Sequence, residues 1–401
     1  MKQKKLMLLG GLRYLLPVIE AAHHEGYYVI TCDYVPDNIA HKYSDEYCNI
    51  SIIDKEAVLA KARELKIDGI MSFAVDPGVV TAAYVAEKMG LPFAGSYESV
   101  RILQNKDLFR NFLTENNFNV PVSCGYSDYD EARNDLKRFT FPIIVKPTDS
   151  AGSKGVTRVD VTSEFETAFR YALENSISGR VIVEEFIEKE GCSSDSDCFT
   201  VDGELIVATF SAQRFDNEAS NPYAPSAYSW PSTFSSEQEQ YLTTELKRLV
   251  KLLDLKTSIY NVETRIGKNG KPYIMEVSPR GGGNRLAEMV RFGSGVDMIT
   301  AYVRASVGDP LKNMRSANFD GHWAEIILHA YSDGVFDSLE IAPEYMNYVF
   351  QTDLWVKHGD RIKCFNGAND AIGTLVMKFK NEEALEKAMS SISQWCKVKM
   401  L

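Results

Sequence analysis

The sequence is short of the features that mark membrane-spanning, metal-cage and polyanion-binding chains. It contains no run of about 18 consecutive apolar residues, so no membrane span is expected. Its seven cysteines (Cys32, Cys48, Cys124, Cys192, Cys198, Cys364, Cys396) are odd in number, scattered and free of CxxC spacing. That argues against a zinc site and suits a reducing cytoplasm. Basic residues are in deficit, 44 Lys and Arg against 55 Asp and Glu, for a net charge of −11. Such a balance disfavours a nucleic-acid or membrane-surface binder, but a small anion needs only a local cluster of cations. The start, MKQKKLMLLGGLRYLL, has a basic head and an apolar run. Arg13 interrupts that run and no small-residue cleavage site follows, so it reads as a first strand and a glycine turn, not a signal peptide. Two nucleotide signatures are also missing. G-x-x-x-x-G-K-[ST] does not occur, and the first turn, GGLRYL, is not G-x-G-x-x-G. Asp33 does stand about 20 residues downstream, as a dinucleotide site requires, so NAD remains a minor alternative.

What is present suggests an ordinary globular chain with a large core: 45% of residues are apolar and 25% charged. A length of 401 residues predicts two or three domains. The first hundred residues alternate strand and helix: KKLMLLGG, PVIEAAHHEG, YYVITCDY, KEAVLAKARELK, DGIMSFA, VVTAAYVAEKMG and a short strand LPFAG. This rhythm implies a parallel sheet whose ligands sit at the carboxyl ends of its strands, near Gly10–Arg13, Asp33 and Asp76. After a helix, NKDLFRNFLTENN, the pattern turns β-rich. FPIIVKP, GVTRVDV and RVIVEEFI read as strands, with SEFETAFRYALEN a helix among them. DCFTVDGELIVATFSAQRF looks antiparallel, with a hairpin signal at VDGEL. A helix follows over residues 237–253, and SIYNVETRI and KPYIMEVSP form a hairpin around KNG. From about residue 318 the chain is β-rich again, with VFDSLEI, TLVMKF and a closing helix NEEALEKAMSSIS. The expected class is α/β, or α+β taken as a whole.

Three stretches carry candidate chemistry. In IVKPTDSAGSKGV, Lys146 ends an apolar strand and Ser150, Gly152, Ser153 and Gly155 form a flexible loop. Its backbone N–H groups can wrap an anion as a lid between antiparallel strands; an ordinary mobile hairpin beside a lysine is the plainer alternative. In VIVEEFIEKEG, an apolar strand runs into Glu184, Glu185, Phe186 and Ile187, with Glu190 beyond. A chain leaving a sheet there offers backbone groups to an adenine and a carboxylate to a ribose, or is simply an acidic, solvated strand end. In IMEVSPRGGG, Glu276 interrupts a strand and is followed by Ser278, Arg280 and three glycines. Glu263 and Glu276 lie on the two strands of one hairpin and project toward one side, as hard oxygen ligands for Mg²⁺ would. Ser278 points the same way along the strand, Arg280 supplies a planar cation for a phosphoryl group, and the glycines permit close backbone approach.

The order of these pieces resembles the ATP-grasp superfamily: a lysine at 106, strand–lysine–proline, glycine loop, E-E-F-I, Glu263, then E-V-S-P-R-G-G-G. It is most similar to the branch shared by phosphoribosylglycinamide synthetase, the carboxylases of purine and biotin metabolism, and amino-acid ligases. The resemblance covers about residues 1–310, and GDRIKCFNGANDAIGTLVMKF is similar to the small β-rich C-terminal domain of that branch. It implies a pre-ATP-grasp domain over 1–104, an ATP-grasp domain over 105–310 with a lid at about 146–215, and a C-terminal domain over 311–401. It further implies that Lys106 and Lys146 contact ATP phosphates, that Ser150–Gly155 closes over them, that Glu184, Glu185, Phe186 and Ile187 read adenine, and that Glu190 holds the ribose. Glu263 and Glu276 would bridge Mg²⁺ (or Mn²⁺), with the Ser278 hydroxyl ligating the metal or holding a bound water where the family's Asn completes the shell. Arg280 would hold an acyl phosphate, while Arg13, Asp76, Arg285 and the loop SNPYAPSAYSWPS would face the acceptor. The implied activity is an ATP- and Mg²⁺-dependent ligase joining a small carboxylate to an amine or other nucleophile, in a cytoplasmic homodimer. A phosphoribosylglycinamide-synthetase-like, carboxylating or carbamoyl-phosphate-type activity on a small metabolite, or a non-catalytic ATP sensor, are the alternatives.

Overall fold

The computed structural model describes residues 3–150 and 154–401. Gly152 and Ser153 lie outside the described residues. Near the N-terminus, Lys5–Leu9 is an inner strand of a four-stranded parallel sheet, flanked by Tyr28–Cys32 and Gly69–Ser72, with Glu46–Cys48 at one edge. Its unbroken apolar run follows from burial on both faces. Leu6 and Leu8 pack with the helices Leu16–His24 and Met298–Ser306, while Met7 and Leu9 pack with Lys55–Leu65 and Asp76–Met89. The last helix begins at Asp76, so that residue sits in its first turn, at the carboxyl end of the sheet.

LPFAG is not a strand. The carbonyl of Ala94 accepts from Lys256 N–H at 2.7 Å and from the Tyr260 hydroxyl at 3.0 Å. The segment therefore crosses to a second sheet instead of extending the first. That antiparallel sheet has the order Glu204–Val207, Ser194–Val201, Ser258–Ile266, Pro272–Ser278. It packs against the helix Ser236–Leu252, which Ser235 and Gln238 open with a reciprocal capping box. A third sheet combines Ser123–Tyr126, Val181–Glu185, Ile143–Pro147 and Thr157–Val159, with Phe165–Glu174 across one face.

The largest sheet differs most from expectation. SNPYAPSAYSWPS is not all loop, because Pro225–Trp230 is a strand between Ala212–Phe215 and His322–Leu328. Proline at each end and a run of small polar residues hid it, yet Tyr228 and Trp230 are buried in an aromatic cluster. Two strands from the middle of the chain thus join Gly373–Phe379 and Val349–Leu354 in a sheet with the C-terminal residues. No helix among the described residues is long and apolar enough to cross a membrane.

Candidate active site

The strand Ile143–Pro147 buries alternate residues in its own layer and turns Ile144 and Lys146 the other way. Lys146 Nζ donates to Glu184 Oε1, and Glu184 Oε2 accepts from Arg110 Nε at 3.0 Å. All three side chains are nearly buried. Burial pushes the Glu184 carboxyl up, but the charges of Arg110 and Lys146 overcome it and hold it down at about 2. Burial also lowers the Lys146 ammonium, which Glu184 offsets only in part. Arg110 donates as well to the Met275 carbonyl at 2.8 Å, tying this sheet to the strand that carries Glu276. The sequence reading missed Arg110, which stands four residues after Lys106 in a helix that looks merely amphipathic.

Glu184 therefore turns its carboxylate inward to the lysine. Beyond it, Glu185 Oε1 accepts from Thr140 N–H at 2.7 Å, and the Arg158 guanidinium lies 4.7 Å from the Phe186 ring. The Ile187 carbonyl accepts from Arg265 at 3.1 Å, and Glu190 N–H donates to Ile266 at 2.8 Å, with the Glu190 side chain exposed. The segment is a strap joining the third sheet to the central hairpin.

Asn105 caps the helix Lys106–Glu115, and this fixes Lys106 at its first position. Lys106 Nζ donates to the Ser150 carbonyl at 3.0 Å and lies 3.8 Å from Glu276 Oε2. Ser150 Oγ donates to the Asn175 carbonyl at 2.6 Å, and Gly155, with φ 73°, packs against Asn175 and Pro147. Across the hairpin, Glu263 and Glu276 are directly paired, with a bulge beside them. Burial raises the Glu263 carboxyl, Arg265 opposes this and Glu276 adds to it. Two like charges face each other there, which costs free energy unless a cation lies between them. No group of three or more His, Cys, Asp or Glu among the described residues is arranged to hold a metal. A carboxylate pair fits Mg²⁺, which keeps waters and phosphate oxygens for the rest of its shell.

Ser278 Oγ donates to Asp76 Oδ1 at 2.9 Å and accepts from Gln104 Nε2 at 2.7 Å. Arg280 forms a fork with the same carboxylate, Nε to Oδ1 and Nη2 to Oδ2, both at 2.8 Å, and bonds the Gly281 carbonyl at 3.1 Å. Burial would raise Asp76, yet Arg280 keeps it below the usual carboxylate range. Of the five N–H donors of a guanidinium, these three bonds leave two free. The glycines answer first to the protein itself. A Cβ at Gly281 would stand 2.1 Å from the Phe73 ring, and one at Gly282 2.7 Å from Asn261 Nδ2.

Arg13 and Arg285 come together at one cavity of about 300 Å³, along with Tyr14, Phe73, Gly282 and Trp355. Arg285 is held there by Glu288 at 2.9 Å and Gln351 at 2.9 Å, and Arg13 stands 5.3 Å from the Trp355 ring. Asp76 is engaged by Arg280 and is not on the cavity wall. The sequence reading also missed Asp195 and Asp197. Their period-two placement in SDSDC, on a strand beside Glu263, was the available signal.

Residues 139–288 match the ATP-grasp domain family. The chain carries an ATP-grasp domain. The domain's relatives include the carbamoyl phosphate synthase large chain of Thermoanaerobacter sp. (strain X514), 25% identical over 230 residues, 57% of this chain and 21% of that protein. The chain spans only about a fifth of the length of the first such relatives. Among solved structures, the L-amino acid ligase from Bacillus licheniformis superposes with a TM-score of 0.80 at 20% identity, over 100% of both chains. The biotin carboxylase domain of Hydrogenobacter thermophilus 2-oxoglutarate carboxylase, in complex with MgADP, ADP and bicarbonate, does so at 0.75 and 16% identity, over 100% of this chain and 91% of that one. At these identities the ATP-grasp neighbours share the fold.

Proposed function

We propose that the chain is an ATP- and Mg²⁺-dependent ligase that activates a small carboxylate as an acyl phosphate and joins it to an amine. One observation carries the reading. Lys106 bridges the glycine loop and the carboxylate strand, 3.0 Å from the Ser150 carbonyl and 3.8 Å from Glu276, so anion-binding and cation-binding groups meet at one point. In this reading Lys106 and Lys146 neutralise the nucleotide phosphates, and the Ser150–Gly155 loop, with Gly152 and Ser153, covers them. The Glu184–Ile187 strap takes the adenine and Glu190 the ribose. Glu263 and Glu276 would hold Mg²⁺, which would supply charge neutralisation, and Ser278 orients Asp76. Asp76 fixes the Arg280 plane, and the two remaining donors of Arg280 meet the phosphoryl group as charge develops on it. Arg13 and Arg285 face the acceptor. The work is positioning and charge neutralisation. The corresponding domains are 1–104, 105–310 and 311–401, with the lid sheet drawn from the segment 123–185.

The test is a phosphate-release screen with Mg·ATP against amino acids, glycosylamines, uronates and bicarbonate. ADP and phosphate should form only with an acid present and should fall to background without Mg²⁺. ATP binding without release from any of the panel would leave a nucleotide-binding sensor. Release with bicarbonate alone would favour the carboxylating alternative.

A further inference from the structure

Ser278 follows Glu276 by two residues on one strand and so shares its face, yet the two side chains stand differently. Glu263 and Glu276 keep 35% and 38% of their side chains exposed, so a cation in the cleft can reach them. Ser278 is 1% exposed, and its hydroxyl is engaged on two sides. Arg280 holds Asp76 below the usual carboxylate range, so that carboxylate is ionised and can only accept. The single Ser278 proton therefore goes to Asp76 Oδ1, at 2.9 Å. With its proton spent, Ser278 Oγ accepts from its other neighbour, Gln104 Nε2, at 2.7 Å.

The bonds run in one direction, from Gln104 to Ser278 to Asp76, and meet there the fork from Nε and Nη2 of Arg280, both at 2.8 Å. Distant parts of the chain converge on this line. Gln104 ends the helix Tyr97–Gln104, two residues before Lys106, while Asp76 opens the helix Asp76–Met89 and Ser278 ends the carboxylate strand. Ala74 N–H donates to the Gly281 carbonyl at 3.0 Å and ties two of the same segments together. A metal ion would meet the wrong polarity at Ser278 Oγ. The amide hydrogens of Gln104 point at that oxygen, and the Arg280 cation stands one carboxylate away. Repulsion between such groups is weakly screened where they are buried. A serine also lacks the second polar atom with which an asparagine amide could bond Asp76 and still face the cleft.

We infer that Ser278 belongs to the clamp on Arg280 and not to the metal shell, and that Gln104 is the positioning residue at the head of this clamp. Glu263 and Glu276 are then the protein's ligands to Mg²⁺, with none from position 278. The inference rests on the ligase reading for the role of Arg280. Gln104 fixes the hydroxyl rotor. Without it Ser278 can turn its proton away, Asp76 loses one of its three bonds, and the guanidinium plane is held less firmly as charge develops on the phosphoryl group.

The test uses the full chain with ADP and Mn²⁺, whose free ion is counted by its paramagnetic resonance signal. Ser278→Ala and Gln104→Leu should keep the Mn²⁺ affinity of the ADP complex within about twofold of wild type, while Glu276→Gln should weaken it about tenfold or more. With an acid that the phosphate-release screen finds active, each of the two variants should slow single-turnover ADP formation about tenfold with ATP affinity unchanged. Because both act through one guanidinium, Gln104→Leu added to Arg280→Ala should cost nothing further, whereas independent effects would multiply. The unfolding midpoint of each variant reports its fold. If Ser278→Ala does not fold, Ser278→Cys, close in size and a poor ligand for Mn²⁺, takes its place. An Mn²⁺ affinity about tenfold weaker in the Ser278 variant makes the hydroxyl a metal ligand and overturns the assignment. Wild-type rates in both single variants, or a full further loss on the Arg280→Ala background, overturn Gln104 as a positioning residue. No ADP formation by the wild-type chain with any acid sinks the ligase reading instead, and the Mn²⁺ affinities still decide where Ser278 belongs.

Discussion

Glu184 shows how a residue's role depends on partners that sequence spacing cannot reveal. Its position in VIVEEFI suggested a solvated or adenine-reading strand end, but its carboxylate closes a buried triad with Lys146 and Arg110. Breaking such a group leaves an uncompensated buried charge, at a cost of roughly 3–5 kcal/mol. Glu184→Gln should therefore lower stability by about that much in urea titration, and a loss below about 1 kcal/mol would mean the triad is well hydrated. Glu276→Gln is a different case, because the Glu276 side chain is part-exposed and its cation, Lys106, stands 3.8 Å away instead of closing a buried pair. It should abolish Mg·ATP-dependent phosphate release with the urea midpoint unchanged, and near-normal turnover would make it a mere strand carboxylate. Arg280 separates a ligase from a sensor. Two donors remain after its fork with Asp76 and its bond to the Gly281 carbonyl, so Arg280→Ala should lower single-turnover ADP formation about 10²-fold with little change in ATP affinity. Arg280→Lys should rescue little, since a point charge reproduces neither the fork nor the remaining pair of bonds. Weaker ATP binding with unchanged ADP formation in both variants would make Arg280 a nucleotide anchor.

At the scale of elements, what could be read was local and what could not was long-range. The hairpin of Ser258–Ile266 and Pro272–Ser278 followed from two apolar runs around KNG, and with it the facing of Glu263 and Glu276. The two-sided burial of Lys5–Leu9 was likewise written in its unbroken apolar run. Pro225–Trp230 was missed because small polar residues and flanking prolines imitate a loop, while the aromatic cluster that makes it a strand is assembled from the far end of the chain. LPFAG failed in reverse: its apolar residues suited a strand, but the Ala94 carbonyl is claimed by another sheet. The link from Arg110 to Met275 is of the same kind, and it spans 165 residues. It also joins the third sheet to the carboxylate strand, so a nucleotide between them should couple the two. Saturating Mg·ATP at about 100 times Kd should add roughly 2.7 kcal/mol to stability. A thermal scan with millimolar Mg·ATP should show a raised midpoint, and no shift beside a clear one with NADH would reverse the choice of nucleotide.

Over the whole molecule, the buried acids set a stability that depends on pH in a direction opposite to ordinary acid denaturation. A carboxyl whose folded value lies above its unfolded value near about 4 binds more protons in the folded chain across the interval between them. Stability is then full below the unfolded value and declines as pH rises through the folded one. Asp195 and Asp197, both lifted to about 7, place that decline between about pH 4 and 7. The Glu263 and Glu325 carboxyls, also raised by burial, extend the same trend. Glu184 works the other way, but its contribution is lost only as pH falls toward about 2, outside the window. His41, which burial lowers, adds stability as pH rises toward its ordinary value and so partly masks the decline. A comparison with the double variant Asp195→Asn/Asp197→Asn removes that mask, because His41 is common to both proteins. The ligand-free wild type should lose more of its unfolding midpoint between pH 5 and pH 8 than the variant does. The variant should also be the more stable protein at pH 8, where it no longer carries two buried charges. Parallel curves for the two would mean that water or a bound cation already neutralises the acids in solution.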